Sequence, residues 1–453
     1  MRVFENLKAL FYYSSKFVTI RLGHQKKLKA LQENISKESI WQKLKDSEVL
    51  FLDLVDKKVA PNNLQGELEL GPVLYWLNND VIFMLKRLLQ LFGMPKSNIT
   101  KQQMAVIKAD LELNKIINGY GMIISFGKYN LFDFGWLEII KNYILVHIGL
   151  ETLDEFKTSP STQNFSNGHE ITINLVGDFG TGVWQDGTQP KCPAQLIQDQ
   201  MTLHKSDIHI HLGDIYYSGT TEECKNNFLA TWCNGKLGSY NLNGNHDLYS
   251  GDQGYFDIVL KDQAFKIQNE TSYFSFIIDE WLFLGLDTSY YSTSHFCTEG
   301  RLIDENQINF IRTQIENHKG RMAIITHHGP ISSDGSEQLD LWNDIRSLMK
   351  SDPDVWYYGH IHHAIVFNTT AIGNVNTKFR CMGNGALPYG KGFELITLLG
   401  KNIAWLPDKP LTNPDANQME RLQNMFLNLV VKGNSIQETY YYQDGTIAFT
   451  ASV

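Results

Sequence analysis

Five short segments set side chains that bind cations or move protons beside a glycine or a threonine. They are Gly177-Asp178-Phe179-Gly180, Gly213-Asp214-Ile215-Tyr216-Tyr217, Gly244-Asn245-His246-Asp247, Thr326-His327-His328-Gly329 and Gly359-His360-Ile361-His362. Carboxylate and phenol oxygens suit a hard, highly charged ion, whereas imidazoles suit zinc, iron and similar divalent ions. A Gly-Asp pair alone is usually a turn, and a lone histidine on a strand is usually a satisfied polar residue. All five segments in one chain, each directly after a short apolar run, point instead to one cation-binding centre.

The elements expected to carry these segments form an α/β domain. Residues 171–176 read as a strand, 193–204 as a helix and 208–212 as a second strand, which is a β-α-β unit. Open α/β sheets gather their ligands beyond the carboxyl ends of the strands, so the five segments should meet in one crevice. The Gly359-to-His362 segment, read as extended, puts its two imidazoles on one side. Residues 426–453 alternate apolar and polar around Asp444-Gly445, as a closing hairpin would.

Residues 1–157 read as an all-helical domain that contributes no chemistry. Pro72 opens an apolar stretch over 73–92, and Gly93 with Pro95 closes it. Thr100 and Gln103 fit a capping box for a helix running to Asn118, with Ile116 and Ile117 as core contacts. The polar run 158–168 reads as a linker, leaving 169–453 as the catalytic domain. Every candidate ligand lies beyond that linker, so a fragment starting near Ser166 is expected to fold and act alone.

Composition narrows the classes further. The 453 residues are 43% hydrophobic and 20% charged, as in ordinary globular chains. A net charge of -9 argues against binding nucleic acid through a basic surface. Asp80, Lys86 and Arg87 interrupt the best candidate for a membrane span. Glu5 and Lys8 break the N-terminal apolar character, so a signal peptide is not expected and the expected location is cytoplasmic. Cys192, Cys224, Cys233, Cys297 and Cys381 form no C-x-x-C pair and read as reduced thiols, Cys381 in a loop that rims the pocket. His204, His209, His211 and His363 read as structural.

From about residue 171 to the C-terminus, the chain resembles the calcineurin-like metallophosphoesterase superfamily, which carries these motifs in this order. Within it, the resemblance is closest to the purple acid phosphatase branch and to uncharacterised bacterial members. Gly180 stands where most other branches have a histidine, and Tyr217 lies three residues after Asp214, where that branch places its iron-binding tyrosine. The further histidine that branch carries after the fourth motif is missing, because Ser336 and Glu337 stand there. The resemblance implies a sandwich of two mixed β-sheets flanked by helices. It implies a first metal site of Asp178, Asp214, Tyr217 and His362, and a second of Asn245, His327 and His360, bridged by Asp214.

The implied cofactors are two metal ions, iron with zinc, manganese or a second iron. The implied reaction is hydrolysis of a phosphate ester, a monoester in preference, by a metal-bound hydroxide. His246 would assist the leaving group, with His328 as a pocket residue or second proton donor. The alternatives are a phosphodiesterase of the same fold, or a non-catalytic metal-binding protein whose helical domain engages a protein partner. The natural phosphorylated substrate is not written in these motifs.

Overall fold

The computed structural model describes residues 116–117, 120–124, 127–130, 133–147, 151–184, 191–368, 375–412 and 421–453. The expected helix over 73–92, and that over 100–118 up to residue 115, lie outside the described residues. Ile116 and Ile117 do not continue a helix: strand β1 (Ile116–Ile117) pairs antiparallel with β2 (Ile123–Ile124). β-Branched side chains favour extended backbone, and Gly121 at φ +95° makes the turn between the two strands. Helix α1 (Leu137–His147) follows. Residues 116–157 are therefore not purely helical where they are described.

Two mixed sheets face each other. The six-stranded sheet runs in the order β16 (Ile447–Ser452), β15 (Ser435–Tyr442), β14 (Met425–Lys432), β4 (Ile171–Val176), β5 (Ile208–His211), β6 (Gly238–Asn241). Strands β4, β5 and β6 are parallel, while β14 joins β4 antiparallel and starts the C-terminal meander. The expected hairpin is thus three strands, and Gly445 at φ +82° turns β15 into β16. Helix α2 (Pro193–His204) connects β4 to β5, and proline at its first position costs no hydrogen bond there.

The eight-stranded sheet runs in the order β13 (Ile403–Trp405), β11 (Ala364–Phe367), β12 (Lys378–Met382), β10 (Val355–Tyr358), β9 (Arg321–Thr326), β8 (Trp281–Leu286), β7 (Phe274–Ile278), β3 (Thr162–Asn164). Strands β8, β9, β10 and β12 are parallel. Cys381 lies inside β12 and is buried, so it does not rim a pocket.

The period-two alternation of each strand decides what lies between the sheets. Ile173, Leu175, Ile208 and Ile210 meet Phe276, Phe283, Ile325 and Tyr357 in one buried cluster. The alternate residues face outward under the helices, α2 on one side and α3 (Glu305–Asn317) with α4 (Asp340–Arg346) on the other. Each fully buried large apolar side chain contributes about 1.5–3 kcal/mol. The layer also contains one charged pair: Arg380 Nε donates to Glu438 Oε2 at 2.8 Å, and Tyr357 Oη donates to Glu438 Oε1 at 2.9 Å.

The stretch expected to be a linker is part of this body. Strand β3 lies inside it and pairs parallel with β7, with Ser275 N donating to the Ser161 carbonyl. Asp154 N donates to the Gly251 carbonyl, and Phe156 stacks on Tyr273 at 5.6 Å. Among the described residues, packing against the sheets runs through residues 154–164. No helix among the described residues is long and apolar enough to cross a membrane.

Candidate metal centre

The parallel strands of both sheets end at the same edge of the sandwich. Asp178 follows β4, Asp214 follows β5, Asn245 opens the helical turn Asn245–Leu248 after β6, and His327 and His360 follow β9 and β10. Asp178, Asp214 and His360 have φ of 56°, 74° and 67°. Left-handed backbone at a non-glycine residue is uncommon and costs of order 1 kcal/mol or more, so the surrounding packing must enforce it. Gly244 shows how tight that packing is, since a Cβ there would lie 2.1 Å from Asp214 Oδ1.

The carboxylate of Asp214 faces two groups of side chains. Its Oδ1 lies 3.4 Å from His327 Nε2, and its Oδ2 lies 3.2 Å from the Tyr216 hydroxyl. On the first side, Asn245 Oδ1 is 3.0 Å from both His327 Nε2 and His360 Nδ1, and those two nitrogens are 3.2 Å apart. On the second side, Tyr216 Oη donates to Asp178 Oδ1 at 2.6 Å and lies 3.0 Å from His362 Nε2. The Gly359-to-His362 segment is not extended. A tight turn from Ile361 N to the Gly359 carbonyl sends His360 to one group and His362 to the other.

Hydrogen bonds fix which atoms of the first group carry lone pairs. His327 Nδ1 lies 2.8 Å from the Leu212 carbonyl, which can only accept, so the neutral ring has its proton there and a lone pair at Nε2. Asn245 Nδ2 donates to Tyr249 Oη at 2.7 Å, and that hydroxyl donates to the Phe296 carbonyl at 2.8 Å, which turns Asn245 Oδ1 inward. Two lone pairs therefore face each other across 3.0 Å, which a cation resolves. Together with two fully buried carboxylates, this donor set fits bound metal ions.

Tyr217 is elsewhere. Its hydroxyl donates to Asp133, and its ring packs against Tyr129 at 4.9 Å and Trp136 at 5.1 Å. Burial, then the Asp133 charge, pushes this phenol well above its ordinary value and holds it protonated, the reverse of what a phenolate ligand needs. The phenol at the centre belongs to its neighbour, Tyr216. Loop geometry makes this choice: Glu223 accepts from the Ser218 and Thr220 amides at 3.1 Å, and Asn227 Nδ2 donates to the Tyr216 carbonyl at 2.7 Å. The Thr220-x-x-Glu223 spacing is a capping box that the sequence displays, and Thr220 closes it by accepting from Glu223 N.

The two further histidines differ. His246 Nδ1 lies 2.7 Å from the Tyr217 carbonyl, so it carries the proton, and Nε2 is directed inward, 3.9 Å from Asp214 Oδ2. His327, His328 and His360 offer ring nitrogens within 4.8 Å of one another. The hydrogen bonds nonetheless turn His328 towards the protein, with Nδ1 3.0 Å from Thr288 Oγ1 and Nε2 2.9 Å from the Cys297 carbonyl. That geometry makes it a poor proton donor. His209, His211 and His363 are buried as expected, and desolvation lowers them to about 4, 3 and 4.

Among the seven residues expected to hold metals, the centre opens to solvent beside His362, whose side chain is 13% exposed. A small cleft, partly open to solvent, lies there. The segment 120–136 supplies much of its lining, and the expectation of a chemically silent N-terminal region gave no hint of it. A run of aromatic residues at 129–136 was the available signal.

Residues 171–364, which carry this centre on the ends of two facing mixed sheets, match the family model described as calcineurin-like phosphoesterase. The resemblance read from the motifs holds for that segment; nothing found separates out the purple acid phosphatase branch. No curated protein matches the sequence. Among solved structures, the chain is similar to GAP50, the anchor in the inner membrane complex of Plasmodium, at 13% identity and TM-score 0.44, covering 63% of this chain and 89% of that one. It is also similar to a predicted phosphoesterase from Streptococcus pneumoniae, at 9% identity and TM-score 0.26, covering 63% and 97%. A third similar structure is zinc-complexed Vps29 from Entamoeba histolytica, at 12% identity and TM-score 0.26, covering 62% and 98%.

Proposed function

We propose that the protein is a dinuclear metal-dependent phosphoesterase that acts on phosphate monoesters. The observation that carries this reading is the division of side chains about Asp214, whose two oxygens face two different donor sets. Asp178, Tyr216 and His362 would hold one ion and Asn245, His327 and His360 the other, with Asp214 shared. Tyr216 takes the role that motif spacing gave to Tyr217. A phenol oxygen beside carboxylates suits ferric iron, and the imidazole-rich side suits zinc, manganese or ferrous iron. Such a pair, when bound, would supply Lewis acidity to the phosphoryl group and acidify water towards a pKa near 7.

The chain's own residues complete the reaction. Water adds to phosphorus, the ester P–O bond breaks, and the departing oxygen takes up a proton. His246 supports that last step: its Nδ1 proton is held on the Tyr217 carbonyl, so a second proton at Nε2 is the one it would release. Trp136 packs near its ring at 6.0 Å, and Tyr216 at 4.4 Å, limiting water around it. The test is metal analysis of purified protein together with hydrolysis of p-nitrophenyl phosphate and its bis-ester. About two metal equivalents and faster turnover of the monoester are expected. A preference for the bis-ester would make it a phosphodiesterase. Metal-replete protein that hydrolyses neither would be a binding protein instead.

A further inference from the structure

Asn245 is an amide among lone pairs, and its orientation decides whether the centre can take a cation. Its Oδ1 lies 3.0 Å from both His327 Nε2 and His360 Nδ1. Turned through half a circle, the amide would put Nδ2 there and donate to the lone pair that His327 carries. In a metal-free protein that exchange replaces two facing lone pairs by a hydrogen bond. It also closes the centre, because an N–H proton then stands where a cation would bind.

Tyr249 opposes the exchange. Its hydroxyl lies 2.8 Å from the Phe296 carbonyl, which can only accept, so the one hydroxyl proton is committed there. Towards Asn245, 2.7 Å away, Tyr249 can then only accept, and an inverted amide would meet it oxygen to oxygen. The Phe296 carbonyl is in turn aimed by unusual backbone. Phe296 and Cys297 are consecutive and left-handed, with φ of 54° and 53°, which non-glycine residues keep only where their surroundings enforce it. The Cys297 carbonyl lies 2.9 Å from His328 Nε2, so one turn serves both the partner of Asn245 and the neighbour of His327. Helix α1 supplies the enforcement. The Tyr143 ring stacks on Phe296 at 4.2 Å with 21° between the planes, and its hydroxyl accepts from Phe296 N at 3.3 Å. Tyr143 precedes the segment 171–364 matched by the family model.

We propose that Tyr249 is a positioning residue that holds Asn245 with its oxygen towards the imidazoles, and that Tyr143 governs it through Phe296. The cation affinity of Asn245, His327 and His360 is then set in part from outside the family segment, an inference that rests on the metal-centre reading above. The other site, on Asp178, Tyr216 and His362, lies across Asp214 and should keep its affinity.

The experiment titrates full-length, metal-stripped protein with zinc chloride by calorimetry, with thermal melts of each stripped variant as the check on folding. Wild type should bind two equivalents. Tyr249→Phe leaves the amide able to invert, and should weaken one equivalent about 10–100-fold while leaving the other unchanged. Asn245→Asp supplies the rescue, because a carboxylate presents an acceptor oxygen whichever way it turns. In that background, Tyr249→Phe should weaken the same equivalent by no more than about threefold. Tyr143→Leu should weaken it about threefold or more, and decides the question if Tyr249→Phe does not fold. Unchanged affinities, or a loss shared by both equivalents, overturn the positioning role while leaving the two-metal reading standing. A loss from Tyr249→Phe that is as large with Asn245→Asp as without it does the same. Wild-type protein that binds fewer than two equivalents removes the two-metal reading as well.

Discussion

The strand-end loops and the segment 120–143 approach the same centre with opposite means. The loops bring charged and lone-pair atoms inward and hold them with backbone geometry, as at Asp178, Asp214 and His360. The segment brings rings and turns its polar atoms away, as Tyr129 and Trp136 do with the Thr181 and Asn130 carbonyls. It also supports the loops from behind: Tyr143 stacks on Phe296 at 4.2 Å and accepts from its amide, and Phe296 holds Tyr249, which orients Asn245. The comparison teaches that the polar atoms of the candidate centre and the rings beside it are supplied separately. The donor atoms come from one set of elements, and the rings at their edge come largely from another.

The largest expected effect tests the loops. Asp214→Asn should lose at least one metal equivalent and reduce activity by more than the roughly 100-fold typical of changes one shell further out. Retention of both metals with near-normal turnover would end the shared-ligand assignment. Next comes the segment itself. A fragment starting at residue 158 gives up the contacts of Tyr129, Trp136, Tyr143 and Phe156, each worth about 1.5–3 kcal/mol where buried. It should be insoluble or inactive; a soluble fragment with full activity would show that the segment is dispensable.

Two adjacent tyrosines sharpen the boundary between the regions. Tyr216→Phe should weaken metal binding and, in iron-loaded oxidised protein, remove any phenolate-to-iron absorption. Tyr217→Phe should preserve both and cost about 1 kcal/mol for the hydrogen bond to Asp133. The opposite spectral result would return the ligand role to Tyr217.

A smaller, graded effect concerns the strand beneath the Asp214 loop. His209 Nδ1 donates to the Cys233 carbonyl at 2.8 Å and Nε2 accepts from Asn174 at 3.1 Å, so the neutral ring is satisfied on both sides. Its folded value of about 4 lies below the ordinary 6.5, so the unfolded chain binds the proton better. Its stabilisation is complete above pH 6.5 and is lost as pH falls towards 4, at about 1.4 kcal/mol per unit. Denaturation curves for His209→Gln should be flatter in that window than those of the wild type. Equal slopes would show that His209 does not titrate there.

Much of this was legible in the chain. Pro193 marked the start of α2 correctly, and residues 171–176 form the strand their apolar run predicts. The candidate ligand motifs stood out because each couples a rare side chain to a strand end. Tyr216 against Tyr217 was not readable from spacing, because Glu223 and Asn227 set the path of that loop through contacts distant in sequence. The cleft wall was missed for a different reason. Ring residues at 120–136 follow no period and no motif, and their common role appears only once Pro388 and Tyr389 stand opposite them. Strand β3 was hidden because its three residues, Thr162–Asn164, are polar and half exposed at a sheet edge.

The left-handed backbone at Asp178, Asp214 and His360 has a consequence for how this sequence can drift. Asparagine tolerates that conformation and glycine adopts it freely, so replacing a ligand there relaxes the chain even as it removes the chemistry. Inactivating changes at these positions are therefore cheap for the fold, and His360→Gly should gain of order 1 kcal/mol of stability in the metal-free protein. On the reading proposed above, His360 serves the metal centre at the expense of the fold.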